Sequence, residues 1–504
     1  MAGGLWIALL VQTWQQQWSN DVWVHASAIR ELMEHPLDPG SPFVAERLPH
    51  FSLSLYHWVA GQAGVVLGLD AIGVVQLLGA VNGVFLLVFF PPFVRVFLHH
   101  RHAPVVALLV VLLLWGPGAW RYSGFLHLNA IGFTLPYPSI FSTWVAFGTV
   151  AWFDRIAARA SVRPGTVIGL GVVGFVVSNA HAITFGLLVV VLVALTIDRR
   201  SVSAVVGLAS VGLGAVGGAV LWPFFDLFDL TLRASDVLDG ENALMYSAPL
   251  VRVAPALLGL PVLWSRLRRN RTDPLVSTFV LSSALYSAGW LLGQMSLGRS
   301  VLFATLVLHL AISGWLVEVW ERSGRRHRLV LAVAGCCALV ALLVPMLPGV
   351  ARMVPFQILP ESLRADNRLE IVSKHYRPLA EVIGPNEVVL APIPIAVRVT
   401  AFTGKSVSPR PIPYLEDAGE RSAAVASFLA NPTSDHPALD QYNVDWVIVP
   451  SSGPSTSAIR AMADSREVFE SREFVVVRVS EDLLPHACGR LETSRLGQSS
   501  ICNG

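Results

Sequence analysis

The sequence predicts a polytopic α-helical membrane protein of about eleven transmembrane helices, followed by an exported C-terminal α/β domain. Three observations carry this. Of 504 residues, 54% are hydrophobic and 14% charged, and the mean hydropathy is +0.59, far from soluble-globular averages. Apolar runs long enough to cross about 30 Å of hydrocarbon, roughly 17 to 25 residues each, recur along the first two thirds of the chain. Near Pro348 the composition then changes to ordinary charge density. The net charge of +2 specifies no partner other than the lipid bilayer, and no nucleic-acid partner is expected.

The opening run, Gly4 to Val11, lacks a basic flank and a small-residue cleavage site, so it reads as a short first span and not as a cleavable signal peptide. Because the run is short for a span, either the true start lies upstream or Gln15 to Gln17 sit at the membrane interface. Further spans are placed at 71–96, 104–120, 138–153, 165–179, 182–197, 202–225, 249–265, 274–293, 300–320 and 329–346. The stretch 51–69 is apolar but carries Ser52, Ser54, His57 and Gln62. Short cytoplasmic loops collect arginine, and Arg101, Arg155, Arg199, Arg266 and Arg322 with their neighbouring arginines fall on one side only if 51–69 does not cross. It is therefore a juxtamembrane or re-entrant helix. The expected topology is multi-pass in the plasma (inner) membrane, with a cytoplasmic N-terminus and an extracytoplasmic C-terminal domain.

The expected domains are 1–348, a transmembrane domain with an outer loop one at 19–70, then the α/β domain at 349–480 and a disordered tail at 481–504. Loop one opens with an amphipathic helix: Val24, Ala28, Ile29, Leu32 and Met33 share one face, Arg30, Glu31 and Glu34 the other. Pro36, Pro39 and Pro42 stop it. In the α/β domain the β runs are 387–390, 446–449 and 474–479, with helical stretches near 363–383, 417–430 and 455–464. Cys336 and Cys337 lie inside an apolar run; Cys488 and Cys502 could pair or stay free.

Asp21 is the first candidate for chemistry. An acid at the outer end of a span either caps the following helix, a role open to Asn20 and Asp21 alike, or works as a general base beside a phosphate-bearing lipid. Trp18, Trp23, His25 and the charged face of the amphipathic helix crowd the same loop, and Asn20, His25 and His57 are candidates to line a cavity. Arg299, in Gln294-Met295-Ser296-Leu297-Gly298-Arg299, departs from the inward bias of the other arginines. It either snorkels to headgroups or grips a lipid phosphate by paired hydrogen bonds, Gly298 permitting close approach. His181 breaks a long apolar run and lines a cavity or sits in an exterior turn. Arg121 and Gln294 are further cavity candidates. The acids of the 226–248 loop fit no defined metal motif and read as solvated. Thr403-Gly404-Lys405-Ser406 lacks a phosphate-loop cradle, since Val399 stands where its first glycine belongs. His309 reads as packed against a neighbouring helix.

In order, these features resemble the GT-C superfamily of integral-membrane glycosyltransferases that use polyprenyl-phosphate sugars. The resemblance rests on Asn20-Asp21 after the first span, Leu53 to Trp58 before the second, the hairpin Ser178 to Ala182 and Gly298-Arg299 opening a late span. It also rests on an exported domain with Thr403-Gly404-Lys405 and Tyr442 to Trp446. It implies Asp21 as catalytic base and Arg299 on the donor phosphate. The implied reaction is inverting transfer of one sugar from a polyprenyl-phosphate donor to an envelope glycan, glycolipid or exported-protein acceptor on the outer face, in a bacterial cell. The second outer loop lacks the acidic motif by which oligosaccharyltransferase relatives hold a divalent metal, so no metal site and no cofactor are expected, although a divalent metal is not excluded. A lipid-linked sugar flippase or another transporter is the competing reading; it would place ionisable groups near the midplane, whereas this chain concentrates them at the outer surface.

Overall fold

A computed structural model describes residues 2–228, 240–366, 371–408, 415–461 and 466–479. Asp229, Asp236, Asp239, Cys488, Cys502 and the whole 481–504 tail lie outside the described residues. The chain divides into two compact units, Met1–Ser19 with Gln76–Glu370 and Asn20–Val75 with Ile371–Gly504. Residues 20–75, assigned by sequence to the membrane domain, thus group with the C-terminal part of the chain.

The helices in chain order are α1 (Ala2–Trp14), α2 (Asp21–Glu34), α3 (Leu55–Leu67), α4 (Ala71–Phe97), α5 (Ala103–Leu113), α6 (Leu128–Thr134) and α7 (Pro138–Ala157). After them come α8 (Pro164–Ala180), α9 (Ala182–Arg199), α10 (Val202–Leu221), α11 (Leu260–Arg269), α12 (Pro274–Leu292), α13 (Val301–Arg322) and α14 (Arg325–Leu343). Among the described residues six helices are long and apolar enough to cross a membrane: Ala71–Phe97, Ala182–Arg199, Val202–Leu221, Pro274–Leu292, Met295–Arg322 and Arg326–Arg352. The chain is a multi-pass membrane protein. Three more of the expected spans, in α1, α5 and α8, are shorter apolar helices, and α7 carries Asp154 and Arg155 near its end. The span expected at 249–265 is not one helix. Pro249–Arg252 gives way to a 3-10 turn over Ala254–Gly259 before α11 begins, because Pro255 and Pro261 each remove an amide donor from the helical ladder.

In the first unit α8 and α10 run face to face with almost no side chain between them. A Cβ on Gly174 would stand 2.0 Å from the Val211 carbonyl oxygen, and one on Gly214 1.8 Å from that of Gly171; only glycine lets the backbones approach this closely. Gln15 is buried. Its side-chain oxygen accepts from the Phe356 amide at 2.6 Å and its nitrogen donates to the Val354 carbonyl at 3.0 Å, so a polar side chain ends α1 by satisfying a distant backbone turn. On α14 Leu329, Val330, Val333 and Val340 are exposed, as are Cys336 and Cys337: this helix turns its apolar surface outward, as a lipid-facing segment does.

The second unit is built on a five-stranded sheet: β1 (Val388–Leu390), β2 (Lys405–Ser406), β3 (Trp446–Pro450), β4 (Arg466–Glu470) and β5 (Phe474–Arg478) in the order β2-β1-β3-β5-β4. β1 is parallel to β2 and β3, and β5 is antiparallel to β3 and β4. Helix Ala418–Ala430 packs on one face through Val425 and Phe428, and Tyr376 and Ile395 cover the other. Arg30 and Glu31, on the polar face of α2, are 6% and 2% exposed, because that face docks on residues 400–406.

Candidate functional site

Asp21 stands in the first turn of α2 and is exposed. The expected cap is not made by Asn20, which holds the N-cap position without a side-chain hydrogen bond. One helical turn on, His25 presents the same face. Its Nδ1 lies 2.9 Å from Nε2 of His57 on α3, and the two rings stack nearly parallel with centroids 5.0 Å apart. Nδ1 of His57 lies 2.8 Å from Oγ of Ser54, the N-cap residue of α3, whose extended backbone turns its side chain into the first turn. His50 is buried close by, its Nδ1 accepting from the Ser52 amide at 3.0 Å. Burial lowers all three imidazoles. His25 falls to about 4, although the Asp21 carboxylate raises it; His50 falls to about 3 and His57 well below the usual range, through burial and then the neighbouring imidazoles. At neutral pH the cluster is therefore uncharged.

The opposite face of α2 is fastened by permanent charge. Nζ of Lys405 donates to Oε2 of Glu31 and to the Ser41 carbonyl, both at 2.6 Å, and the Gly40 amide donates to the other Glu31 oxygen at 2.7 Å. Burial pushes the Glu31 carboxyl up, but the Lys405 ammonium and these hydrogen bonds hold it below its usual range. Nη2 of Arg30 donates to the Gly404 carbonyl at 2.9 Å. The Thr-Gly-Lys stretch that imitates a phosphate loop is thus a clasp for α2. Glu31, Glu34 and His35 stand close enough to share a metal ion, but Glu31 spends both oxygens on Gly40 and Lys405. A cleft of about 240 Å³ opens beside this face, lined by Arg30, Glu34, Asp70, Arg377 and Phe402 among others.

In the first unit the 3-10 turn Met295–Ser300 leads into α13 and carries Arg299. Its guanidinium is half-buried and held by protein groups: Nε donates to Oδ1 of Asn242 at 2.9 Å, Nη1 to Oγ of Ser123 at 3.1 Å, and its Cζ lies 5.2 Å from the centroid of the Tyr122 ring. Asn242 in turn donates to Oγ of Ser296 at 3.0 Å. Gly298 does permit a close approach, but of protein: a Cβ there would stand 2.8 Å from Tyr246 and 2.9 Å from Met245. Gln294 is exposed at the start of this turn. Arg121 is exposed four residues before the buried pair Phe125 and Leu126. His181 caps α9, its Nδ1 accepting from the Thr184 amide at 3.2 Å. His309 meets the Leu114 carbonyl at 2.8 Å at the end of α5.

The structure thus brings Asp21, His25 and His57 together in one unit, and gathers Tyr122, Ser123 and Asn242 around Arg299 in the other. Sequence reasoning missed Ser54 and His50. Ser54 had a signal, since Ser-x-x-His at a helix start sets a hydroxyl beside an imidazole. Asn242 had none, being one polar residue in a polar loop.

No protein-family model matches the sequence, and no curated protein is similar to it. Solved structures are. ArnT from Cupriavidus metallidurans bound to undecaprenyl phosphate superposes with a TM-score of 0.54 at 14% identity, covering 94% of this chain and 97% of that one. The archaeal oligosaccharyltransferase AglB from Archaeoglobus fulgidus, in complex with an inhibitory peptide and a dolichol-phosphate, gives 0.49 at 13% identity over 86% of this chain. The chain spans 65% of the length of that archaeal protein.

Proposed function

Starting from a chain that has the GT-C fold, we propose that it is a membrane glycosyltransferase that moves a single sugar from a polyprenyl-phosphate donor to an acceptor hydroxyl of an envelope glycan, glycolipid or exported protein. The observation that carries this reading is the fold shared, over nearly the full length of both chains, with a structure that holds undecaprenyl phosphate. In this reading Asp21 removes the acceptor proton and Arg299 stabilises the charge that develops on the leaving phosphate, in an inverting displacement at the sugar C1. Asp21 is exposed, as a group that meets an incoming acceptor must be. Arg299 is held by Asn242 and Ser123, which fixes the guanidinium before a donor arrives. The expected setting is a bacterial inner membrane with the reaction on its outer face.

The test is transfer by the purified chain in nanodiscs from a panel of polyprenyl-phosphate sugars. Asp21→Asn is expected to lose the roughly 10²- to 10⁴-fold that a positioned base supplies, and Arg299→Ala to weaken retention of the donor. Near-normal transfer by Asp21→Asn removes the base, and unchanged donor binding by Arg299→Ala removes the phosphate contact. Movement of intact donor across a bilayer with no transfer would favour a flippase.

A further inference from the structure

The imidazoles beside Asp21, His25 half-buried and His50 and His57 buried, have no part in the reaction as written above. They are not arranged as ordinary core. A hydrogen bond between two ring nitrogens requires one ring to donate and the other to accept, so the 2.9 Å contact between His25 Nδ1 and His57 Nε2 ties the two tautomers together. The 2.8 Å contact from His57 Nδ1 to the Ser54 hydroxyl extends the same constraint by one group. When Ser54 accepts, His57 carries its proton on Nδ1 and offers Nε2 as acceptor. In that arrangement His25 is the donor through Nδ1 and carries its lone pair on Nε2.

We propose that His25 is a second proton-handling group of the acceptor site, taking from Asp21 the proton that Asp21 removes from the acceptor hydroxyl, with His57 and Ser54 as positioning residues that hold its tautomer. This rests on the transferase reading. As the acceptor oxygen bonds to C1, the bond from C1 to the phosphate oxygen breaks and the phosphate leaves with the electron pair. The acceptor proton passes to the Asp21 carboxylate and then to Nε2 of His25, and water carries it away when the product departs. Throughout, the His25 Nδ1 proton stays in its bond to His57, the role a third group plays for a catalytic histidine elsewhere.

The surroundings suit this role. Of the elements packed on α2, α3 brings His57 and Tyr56, the loop before it brings His50, and the helix Ile393–Val399 brings one charged side chain, Arg398. That arginine turns instead to Tyr376 and Glu473. Burial brings His25 to about 4, so an imidazole that takes up the proton gives it up readily to water at neutral pH.

The experiment compares Asp21→Asn, His25→Ala, His25→Gln and His57→Phe in the full chain in nanodiscs, reading transfer from the same donor panel and thermal melting. His25→Ala should lose roughly 100-fold in kcat, the lower end of what acid–base groups contribute, with the donor KM unchanged and the rate restored by added imidazole. His57→Phe should lose less and shift the acid limb of the pH–rate profile. Full activity in all three histidine variants while Asp21→Asn is inactive overturns the His25 assignment and leaves the base intact. A folded His25→Gln that is slow, beside a His25→Ala that imidazole does not rescue, also overturns it, since that pattern is structural. Full activity in Asp21→Asn removes the base and this inference with it, whereas no transfer by the wild-type chain from any donor removes the transferase reading as well.

Discussion

The two faces of α2 bury polar groups by opposite means. Toward α3 it sets His25 against His57, groups that become neutral when water is withdrawn. Toward residues 400–406 it sets Glu31 and Arg30, which stay charged and must be answered by Lys405 and the Gly404 carbonyl. The first solution leaves groups that can gain or lose a proton; the second gives a fastener. A fold needs the second kind where a segment must be held and tolerates the first where protons must move, and α2 carries both within eleven residues of Asp21.

The sharpest way to break the contrast is to remove one member of the charged pair. Glu31→Gln or Lys405→Met leaves the partner buried without its counter-charge, which typically costs about 3 to 5 kcal/mol. Either variant should lower the melting temperature more than any histidine substitution on the other face, as scanning calorimetry in nanodiscs would show. The double change Glu31→Met with Lys405→Met should recover much of the loss, because a hydrophobic pair of similar volume is often no worse than an ion pair. A double variant as unstable as the singles would mean that Ser41 and Gly40, also bonded to this pair, are what hold the loop.

How much of this was visible in the chain itself differs between the faces. The apolar runs mark the long helices because length and composition suffice, and β1, β3 and β5 are marked by their Val and Ile content. β2 and β4 are not, one being only the two residues Lys405–Ser406 and the other carrying Arg466, Glu467 and Glu470. Periodicity identified α2 as a helix with a charged face, but could not say what that face meets. Its partners lie 374 residues away in Gly404 and Lys405, and no local pattern reports a contact that distant. The same limit made Lys405 look like a fragment of a nucleotide motif. Asp21 could be singled out because its own position carried the signal. The His25 and His57 contact, 32 residues apart, became visible only when α2 and α3 were packed together.

Acid should separate the two faces. The histidines have folded values of about 4 for His25 and about 3 for His50, below the ordinary 6.5. Above pH 6.5 both folded and unfolded chains hold them neutral, and their burial costs no protonation energy. As pH falls from 6.5 toward 4, the unfolded chain binds protons that the folded chain refuses, so stability falls. Each pH unit crossed in that window removes about 1.4 kcal/mol for each such histidine, a loss on the order of 3 kcal/mol apiece by pH 4. Glu31 is displaced by its partners in the sense that favours the charged form, and its stability is lost only below the usual carboxyl range, near pH 4.5. Melting curves should therefore fall between pH 6.5 and 4.5 in the wild type and fall less in His50→Phe. If His50→Phe shows the same slope, His50 is not among the groups that set it.

The smallest expected effect sharpens the comparison by holding distance fixed and changing only burial. Arg377 and Asp70 form a second ion pair in the same unit, with Nη2 and Oδ2 2.7 Å apart against 2.6 Å for Lys405 and Glu31. Its side chains are 61% and 50% exposed, where those of Lys405 and Glu31 are 7% and 2%. In water the attraction is screened, and ordering two long side chains offsets most of what remains. Arg377→Ala should therefore lower stability by no more than about 0.5 kcal/mol and should lose even that in high salt. The Lys405→Met deficit should persist in salt, because ions do not reach that pair. An Arg377→Ala deficit comparable to that of Lys405→Met would show that contact distance, and not withdrawal from water, sets the strength of the charged face of α2.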